Sequence, residues 1–363
     1  MDIYDACIHN GDVWAIARKD AYLYRLTGIK EVLQESILLS RNGNIRESFS
    51  GIYIWEDSLL AVPMTQNYVV CYNLITKSLK YFDLPFQEGT EYNFATCHVF
   101  GNELVLFGWK FPGILRLNLL NGECEVIDAY VEECRERVAN EPNGYCPGKC
   151  VMKGECFYLP LSNMNAILEL NYTNNEVKII DIEGENFRGD SIVLHEDDFW
   201  LVPHDMRNGI LKWNTNFNSI VHFDDYPQGF AKDKRMLPLA TTLYDNKIYI
   251  FAYDANMNIA IDITTGEIEK LPELDNILTN NSRWYKVIKL YGDTFFCMCN
   301  ETLFYWNVKT NKIESFCFSV EKKIAERYRI LKFQEILRLR KDVREGTFKL
   351  REYINAVVWT DRV

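Results

Sequence analysis

The 363-residue chain is 48% hydrophobic and 25% charged, which is enough apolar material for one large repeat-built domain or two ordinary ones. Its formal net charge of -11 repels nucleic acid and anionic membrane surfaces, and argues against a partner of either kind. The 14% aromatic content favours strands, because aromatic side chains suit a pleated, half-buried surface.

The N-terminal residues show neither the basic region nor the apolar run of a signal peptide. No later stretch approaches the roughly 20 apolar residues of a membrane span. We therefore expect a cytoplasmic protein. The 11 cysteines are expected to be free thiols. Their densest group lacks the paired Cys-x-x-Cys spacing of zinc sites, and the sequence predicts no metal site and no cofactor.

A short unit starts near the N-terminus and recurs along the chain. It consists of a polar turn followed by an apolar strand, and seven copies follow one another at intervals of about 43 to 52 residues, a spacing typical of four-stranded blades. The turns are Gly11-Asp12, Glu56-Asp57, Gly101-Asn102, Lys153-Gly154, Asp197-Asp198, Asp245-Asn246 and Gly292-Asp293. So small a unit cannot bury both of its faces, so neighbouring units must pack against each other.

A second turn recurs within these units, between the predicted third and fourth strands. It begins with asparagine or aspartate in six units, at Asn73, Asn118, Asn171, Asn214, Asp262 and Asn307. These side chains hydrogen-bond the backbone of their own turn and tolerate left-handed backbone, so the pattern predicts a hairpin. The first unit is less regular.

Residues 1–318 therefore resemble a seven-bladed β-propeller. The resemblance implies an all-β fold of about seven four-stranded blades. The double glycine of kelch repeats and the Gly-His and Trp-Asp pairs of WD repeats are missing, so neither family's binding properties follow. Six blades with a divergent end segment is an alternative. No spare strand is evident to interlock the first and last blades, which leaves closure to side-chain packing or to the C-terminal segment.

The C-terminal segment, residues 319–363, differs in character. Apolar residues at Ile324, Tyr328 and Leu331 lie among lysine, arginine and glutamate at approximately helical spacing. We expect a C-terminal helical extension. It either covers the outside or one end of the propeller, or docks a partner or a second copy of the chain.

Four arginines lie about ten residues before the first turn of their unit, just ahead of the predicted innermost strand. They are Arg46, Arg188, Arg235 and Arg283. In a propeller they would surround one mouth of the central channel. Because guanidinium binds carboxylate and phosphate in a bidentate manner, the pattern predicts an anionic ligand or an acidic partner segment. Pairing of each arginine with an acidic neighbour such as Asp190 is the structural alternative.

Other polar and aromatic residues fall in loops that the propeller interpretation places around the same mouth. They are Trp109, His204, Asp205, Arg207, Tyr253 and Asp254. Aromatic planes beside amides and carboxylates suit sugar recognition, and exposed aromatic residues equally suit a protein interface. The ligand-binding set therefore predicts a protein partner or an acidic or sugar-like small molecule.

Catalysis is the competing hypothesis. His204 and Asp205, with Tyr253 and Asp254 in the matching loop of the next unit, could form a general acid/base cluster. No GxSxG, Walker glycine loop or HExxH motif is present. We expect a non-catalytic binding propeller, and a carbohydrate lyase or hydrolase is the alternative.

Overall fold

The computed structural model describes residues 3–17, 20–26, 33–44, 48–85, 92–138, 149–161, 163–182, 187–216, 219–230, 238–252, 256–271, 287–299 and 302–317, with residues 326 and 330. Within these ranges, strands form seven antiparallel sheets, and each sheet consists of four strands that are consecutive in sequence. The sheets are the blades of a β-propeller, numbered 1 to 7 in chain order. The seven-blade prediction is confirmed over the six-blade alternative.

The strand bounds follow the predicted order of each unit. Blades 1 to 4 contain β1 (Ile3–His9), β2 (Asp12–Ala17), β3 (Tyr22–Leu26), β4 (Leu33–Leu38), β5 (Phe49–Trp55), β6 (Ser58–Pro63), β7 (Tyr68–Asn73), β8 (Leu79–Asp83), β9 (Phe94–Phe100), β10 (Glu103–Gly108), β11 (Ile114–Asn118), β12 (Cys124–Ile127), β13 (Val151–Lys153), β14 (Cys156–Pro160), β15 (Ala166–Asn171) and β16 (Val177–Asp181). Blades 5 to 7 contain β17 (Gly189–His195), β18 (Asp198–Pro203), β19 (Ile210–Asn214), β20 (Ser219–Phe223), β21 (Pro238–Tyr244), β22 (Lys247–Ala252), β23 (Ile259–Asp262), β24 (Ile268–Lys270), β25 (Val287–Tyr291), β26 (Thr294–Cys299), β27 (Thr302–Asn307) and β28 (Lys312–Cys317).

Among the connections that the structure describes, two contain short helical segments. Helix α1 (Val131–Arg137) follows blade 3, and the 3-10 helix η1 (Met206–Asn208) lies between β18 and β19 of blade 5. Within the described ranges, no helix is long and apolar enough to cross a membrane.

The turn between the first and second strands begins with a left-handed residue in every blade. These residues are Asn10, Glu56, Gly101, Gly154, Glu196, Asp245 and Gly292. A left-handed first residue suits a tight hairpin, because its twist matches the right-handed twist of the strands. The predicted turn is confirmed in all seven blades, displaced by one residue in blades 1, 4 and 5.

The predicted asparagine and aspartate turns between third and fourth strands are also present. In blade 2, Asn73 Oδ1 accepts hydrogen bonds from the backbone N–H groups of Ile75 at 3.0 Å and Thr76 at 2.8 Å. Asp262 does the same in blade 6. The side chain thus satisfies backbone donors that the ladder cannot reach, and this local bonding sets the hairpin register.

Each pair of neighbouring blades shares one hydrophobic cluster, and the seventh cluster joins blade 7 to blade 1. In that cluster Phe296 and Met298 pack with Ile3 and Val13. The ring is therefore closed by side-chain packing between complete blades, one of the two routes that the sequence left open. The predicted C-terminal helical extension lies outside the described residues, except that residues 326 and 330 have helical backbone.

Candidate functional site

One face of the propeller carries the connections from second to third strands and the connections between blades. We call it the loop face. The innermost strand of every blade begins there and runs away from it, since its other end forms the first hairpin turn. The channel mouth, defined as the loop-face opening of the central channel, is therefore bordered by the N-terminal ends of seven innermost strands. Loops on so rigid a scaffold can hold functional groups in place.

Arg188 lies one residue before β17, at the channel mouth, as the arginine pattern predicted. Its side chain is exposed, and its carbonyl oxygen accepts a hydrogen bond of 2.6 Å from the N–H of His204. The other three arginines of the predicted ring, Arg46, Arg235 and Arg283, lie outside the described residues, as do Tyr253 and Asp254. The ring itself stays a prediction.

Trp109 is held on the loop face by a tight loop between β10 and β11. Its N–H donates to Asn93 O at 2.9 Å, and its side chain is 40% exposed. The loop turns so closely that a Cβ on Gly108 would lie 2.0 Å from Phe111 O. Glycine is thus required there for the backbone to approach itself. Trp109 offers an aromatic plane that ligand or partner can reach.

Asp205 and Arg207 stabilise their own loop. Asp205 caps η1 by accepting from Arg207 N at 3.1 Å and from Arg207 Nε at 2.8 Å. Tyr226 donates its hydroxyl to Met206 O at 2.7 Å and ties the loop to the chain that follows blade 5. The Asp205 carboxylate therefore balances the Arg207 charge, which weakens the case for Arg207 as an anion ligand.

The carboxylate that the structure places beside His204 is Asp190, on β17. His204 Nδ1 and Asp190 Oδ1 are 3.6 Å apart, and both side chains are about one-fifth exposed, at 19% and 20%. Burial raises the pKa of Asp190, and attraction to His204 and Lys149 offsets part of that rise. Sequence reasoning named Asp190 as a neighbour of Arg188 and missed its position beside His204.

Lys149 is the most informative residue that the sequence analysis missed. It precedes β13 by two residues and reaches from blade 4 to blade 6, where its Nζ donates to Thr241 O at 3.1 Å. The residue is exposed to solvent, but the protein that surrounds its ammonium group partly desolvates it. This desolvation and the nearby charge of Lys289 lower its pKa to about 8, against the attraction of Asp190 and Asp5.

Asp5 and Lys289 form an ion pair where the first and last blades meet. Lys289 Nζ lies 2.9 Å from Asp5 Oδ1, and Asp5 Oδ2 accepts the N–H of Ile52 at 2.9 Å. Burial lowers the pKa of Lys289, but attraction to Asp5 outweighs this effect and leaves the pKa raised. Asp5 thereby connects the innermost strands of blades 7, 1 and 2, and the charge of Lys289 is balanced.

The described part of the channel therefore holds two cations that no carboxylate pairs with, Arg188 at the mouth and Lys149 inside, beside the middle of β21. Within that part of the chain, neither Lys149 nor Arg188 forms an ion pair. No group of three His, Cys, Asp or Glu side chains among the described residues is placed to hold a metal ion. In a protein of net charge -11, unpaired cations in and around one channel are suited to binding an anionic group.

The pKa of Lys149 can be measured by its reactivity. At pH 8 about half of an amine with this pKa is neutral, whereas less than about 1% of an ordinary lysine amine is neutral. We expect acetic anhydride at pH 8 to acylate Lys149 more than about tenfold faster than the lysine of a short unstructured peptide in the same tube. Peptide mapping by mass spectrometry gives both rates.

The neutral fraction of Lys149 also sets the shape of the pH profile. The acylation rate of Lys149 should rise up to about pH 8 to 9 and then level off, since the amine is by then largely deprotonated. If this rate instead rises in parallel with that of the peptide lysine up to pH 10, the channel does not lower the pKa of Lys149.

Comparison with solved structures supports the architecture. The fold is similar to a catalytically inactive variant of virginiamycin B lyase from Staphylococcus aureus with quinupristin, with a TM-score of 0.60 and 14% identity over 86% of this chain and 94% of that one. It is also similar to YCF48 from Cyanidioschyzon merolae, with a TM-score of 0.56 and 11% identity over 82% and 92%. BamB from Moraxella catarrhalis has a TM-score of 0.53 and 9% identity over 82% of each chain.

At these identities the likeness shows the propeller fold and nothing about activity. One of the three similar proteins is named as a lyase, and the names of the other two state no reaction. No family model and no curated protein sequence matches this chain.

Proposed function

We propose that this protein is a non-catalytic binding propeller that recognises an anionic group at the channel mouth. The observation that carries the proposal is Lys149, an exposed residue whose ammonium is hydrogen-bonded to a backbone carbonyl oxygen and has no carboxylate partner within the described residues. The exposed Arg188 adds a second cation at the channel mouth.

Several features favour recognition over a purely structural role for these cations. An ammonium or guanidinium that pairs with an anion forms charge-assisted hydrogen bonds, which are about twice as strong as neutral ones. Trp109, exposed on the loop face, can supply an apolar contact beside the anion. The shared chemistry is a carboxylate, carried either by an acidic segment of a protein partner or by an acidic sugar.

Titration calorimetry with both carboxylate sources tests the proposal. We expect hexaglutamate or glucuronate to bind, with glucose and a hexaglutamine peptide as neutral counterparts that do not. Arg188→Glu should weaken binding at least about tenfold, because a cation becomes a repelling anion. The control is Lys77→Glu, which makes the same change in net charge in an exposed turn of the opposite face.

Three outcomes would contradict the proposal. In the first, the neutral compounds bind as tightly as the anions. In the second, none of the four compounds binds. In the third, Arg188→Glu and Lys77→Glu weaken anion binding equally. Raised salt should weaken a genuine anion complex, since exposed charges are screened within about 8 to 10 Å at physiological ionic strength.

A lyase or hydrolase activity is the second candidate, and the His204–Asp190 pair favours it. A half-buried histidine beside a carboxylate can act as a general base when the carboxylate orients the ring. Mass spectrometry of the same carboxylates, and of quinupristin, after incubation tests this candidate. Conversion by the wild type, lost in His204→Ala while anion binding persists, would replace the non-catalytic proposal.

A further inference from the structure

A cavity of about 420 Å³ opens off the central channel beside Lys149. Three adjacent innermost strands, β13, β17 and β21, form its wall. The wall presents polar and apolar surface in similar amounts, and its apolar residues include Val151, Met152, Val193 and Leu243. Its volume lies within the range of about 300 to 1,000 Å³ that is usual for small-molecule sites, and is too small for a folded partner.

Among the described residues that line this cavity, Lys149 is the one that carries a charge. An ammonium has three N–H donors, and Thr241 O accepts from one of them. The remaining donors suit the two oxygens of a single carboxylate. Asp5 and Asp190 are close enough to act on the Lys149 charge, and their own charges disfavour a dianion such as phosphate.

The wall is held in place before any ligand enters. Ser191 Oγ and Thr241 Oγ1 are 2.6 Å apart in a buried hydrogen bond that joins the innermost strands of blades 5 and 6. Because this bond joins two blades directly, little ordering is required when the cavity fills. Preorganisation of this kind favours affinity, since binding then loses less conformational entropy.

From this arrangement we infer that the channel binds a small amphipathic monocarboxylate, with the carboxylate on Lys149 Nζ and the apolar body along β13, β17 and β21. The inference rests on the proposed anion site at the channel mouth and specifies its ligand class. The apolar part of the wall accounts for the body of the ligand, because burying each methylene there is favourable. Hydrophilic acids such as glucuronate leave that apolar part unused.

The charged form of Lys149 is the form that holds a carboxylate. With a pKa of about 8 in the free protein, affinity should be constant between about pH 6 and 7, where the ligand is ionised, and fall as pH rises above about 8. The groups facing Lys149 are Asp5, Asp190 and Lys289, with Cys150 beside it in the chain. Burial raises the pKa of Cys150 to about 12, so that thiol stays neutral over this range.

Calorimetric titration with acetate, butyrate, hexanoate and octanoate at pH 7 tests the inference. We expect affinity to rise about three- to fourfold for each methylene that becomes buried. Octanamide, which has the same chain and no charge, should bind at least about tenfold more weakly than octanoate. Lys149→Met should weaken octanoate binding about 10- to 100-fold, because a charge-assisted bond is lost.

Lys247→Met is the matched control, since it removes the same charge from the start of β22, at the opposite face, where Lys247 pairs with Glu269. It should leave octanoate binding unchanged.

Thr242→Phe is a second variant that does not depend on Lys149. Thr242 lines the cavity and is half-buried, so a larger side chain should reduce octanoate binding at least about tenfold while acetate binding persists. Thermal unfolding verifies that each variant is folded.

The outcomes separate this inference from the proposed function. If octanoate and octanamide bind equally, or if Lys149→Met binds octanoate as the wild type does, the inference is wrong. If chain length has no effect while hexaglutamate or glucuronate binds and Arg188→Glu weakens it, the inference fails and the proposed function stands. If no anion binds at all, both fail.

Discussion

Replacing Phe157 with alanine is expected to lower the free energy of unfolding by about 3 to 5 kcal/mol. Phe157 is fully buried in the cluster between blades 3 and 4, where its ring lies 5.6 Å from that of Phe107 and 5.9 Å from that of Tyr172. Truncation removes these contacts and leaves a cavity that two rigid sheets cannot collapse to fill. Chemical denaturation followed by tryptophan fluorescence measures the loss.

Phe100→Ala is the matched control. Phe100 lies at the end of β9 in the same pair of blades, contacts Tyr172 at 4.9 Å, and is 41% exposed. The same chemical change should cost about 1 to 2 kcal/mol there, since less apolar surface is buried and solvent can fill the space. Equal losses in the two variants would contradict the assignment of Phe157 to the inter-blade core.

Replacing Asp5 with alanine is expected to lower the free energy of unfolding by about 2 to 4 kcal/mol. The variant leaves Lys289 without its counter-ion and the Ile52 N–H without its acceptor. Removing one partner of a fully buried pair costs about 3 to 5 kcal/mol. Here Lys289 and Asp5 keep 31% and 17% of their side-chain surface, so solvent compensates for part of the loss.

Asp83→Ala is the control for this variant. Asp83 also pairs with a cation, Arg41, at 2.8 Å, but its side chain is 67% exposed. Its removal should change the free energy of unfolding by less than about 1 kcal/mol, as is usual for surface pairs. An Asp5→Ala variant as stable as Asp83→Ala would show that the contact between blades 1 and 7 depends on packing alone.

The local pattern of the sequence predicted the fold well. Seven turns of glycine, aspartate, asparagine or glutamate and six asparagine-led or aspartate-led hairpins identify all seven blades, because turn chemistry acts over a few neighbouring residues. Turn positions were wrong by one residue in three blades, since adjacent polar residues there compete for the left-handed position. The cytoplasmic location and the C-terminal extension stay predictions.

The candidate site was less accessible to sequence reasoning. The sequence placed Arg188, His204 and Trp109 on the loop face correctly, because each lies in a loop whose position follows from the repeat; their role in binding stays a prediction. Asp205 was paired with His204 on adjacency, whereas the structure uses it to cap η1 and places Asp190 beside His204. Lys149 was missed because the pattern consisted of arginines about ten residues before the first turn of a blade. Lys149 is a lysine, and it lies only a few residues before that turn because β13 has three residues.

The sequence by itself determined the repeat, the hairpins within each blade and the acidic character of the protein. All three depend on residues close together in the chain. The tertiary structure decided how the ring closes and which charges meet in the channel. Ile8 donates its N–H to the Tyr291 hydroxyl across 283 positions, and Lys149 reaches Thr241 across 92. Such partners are determined by the packing of whole blades, which no local pattern encodes.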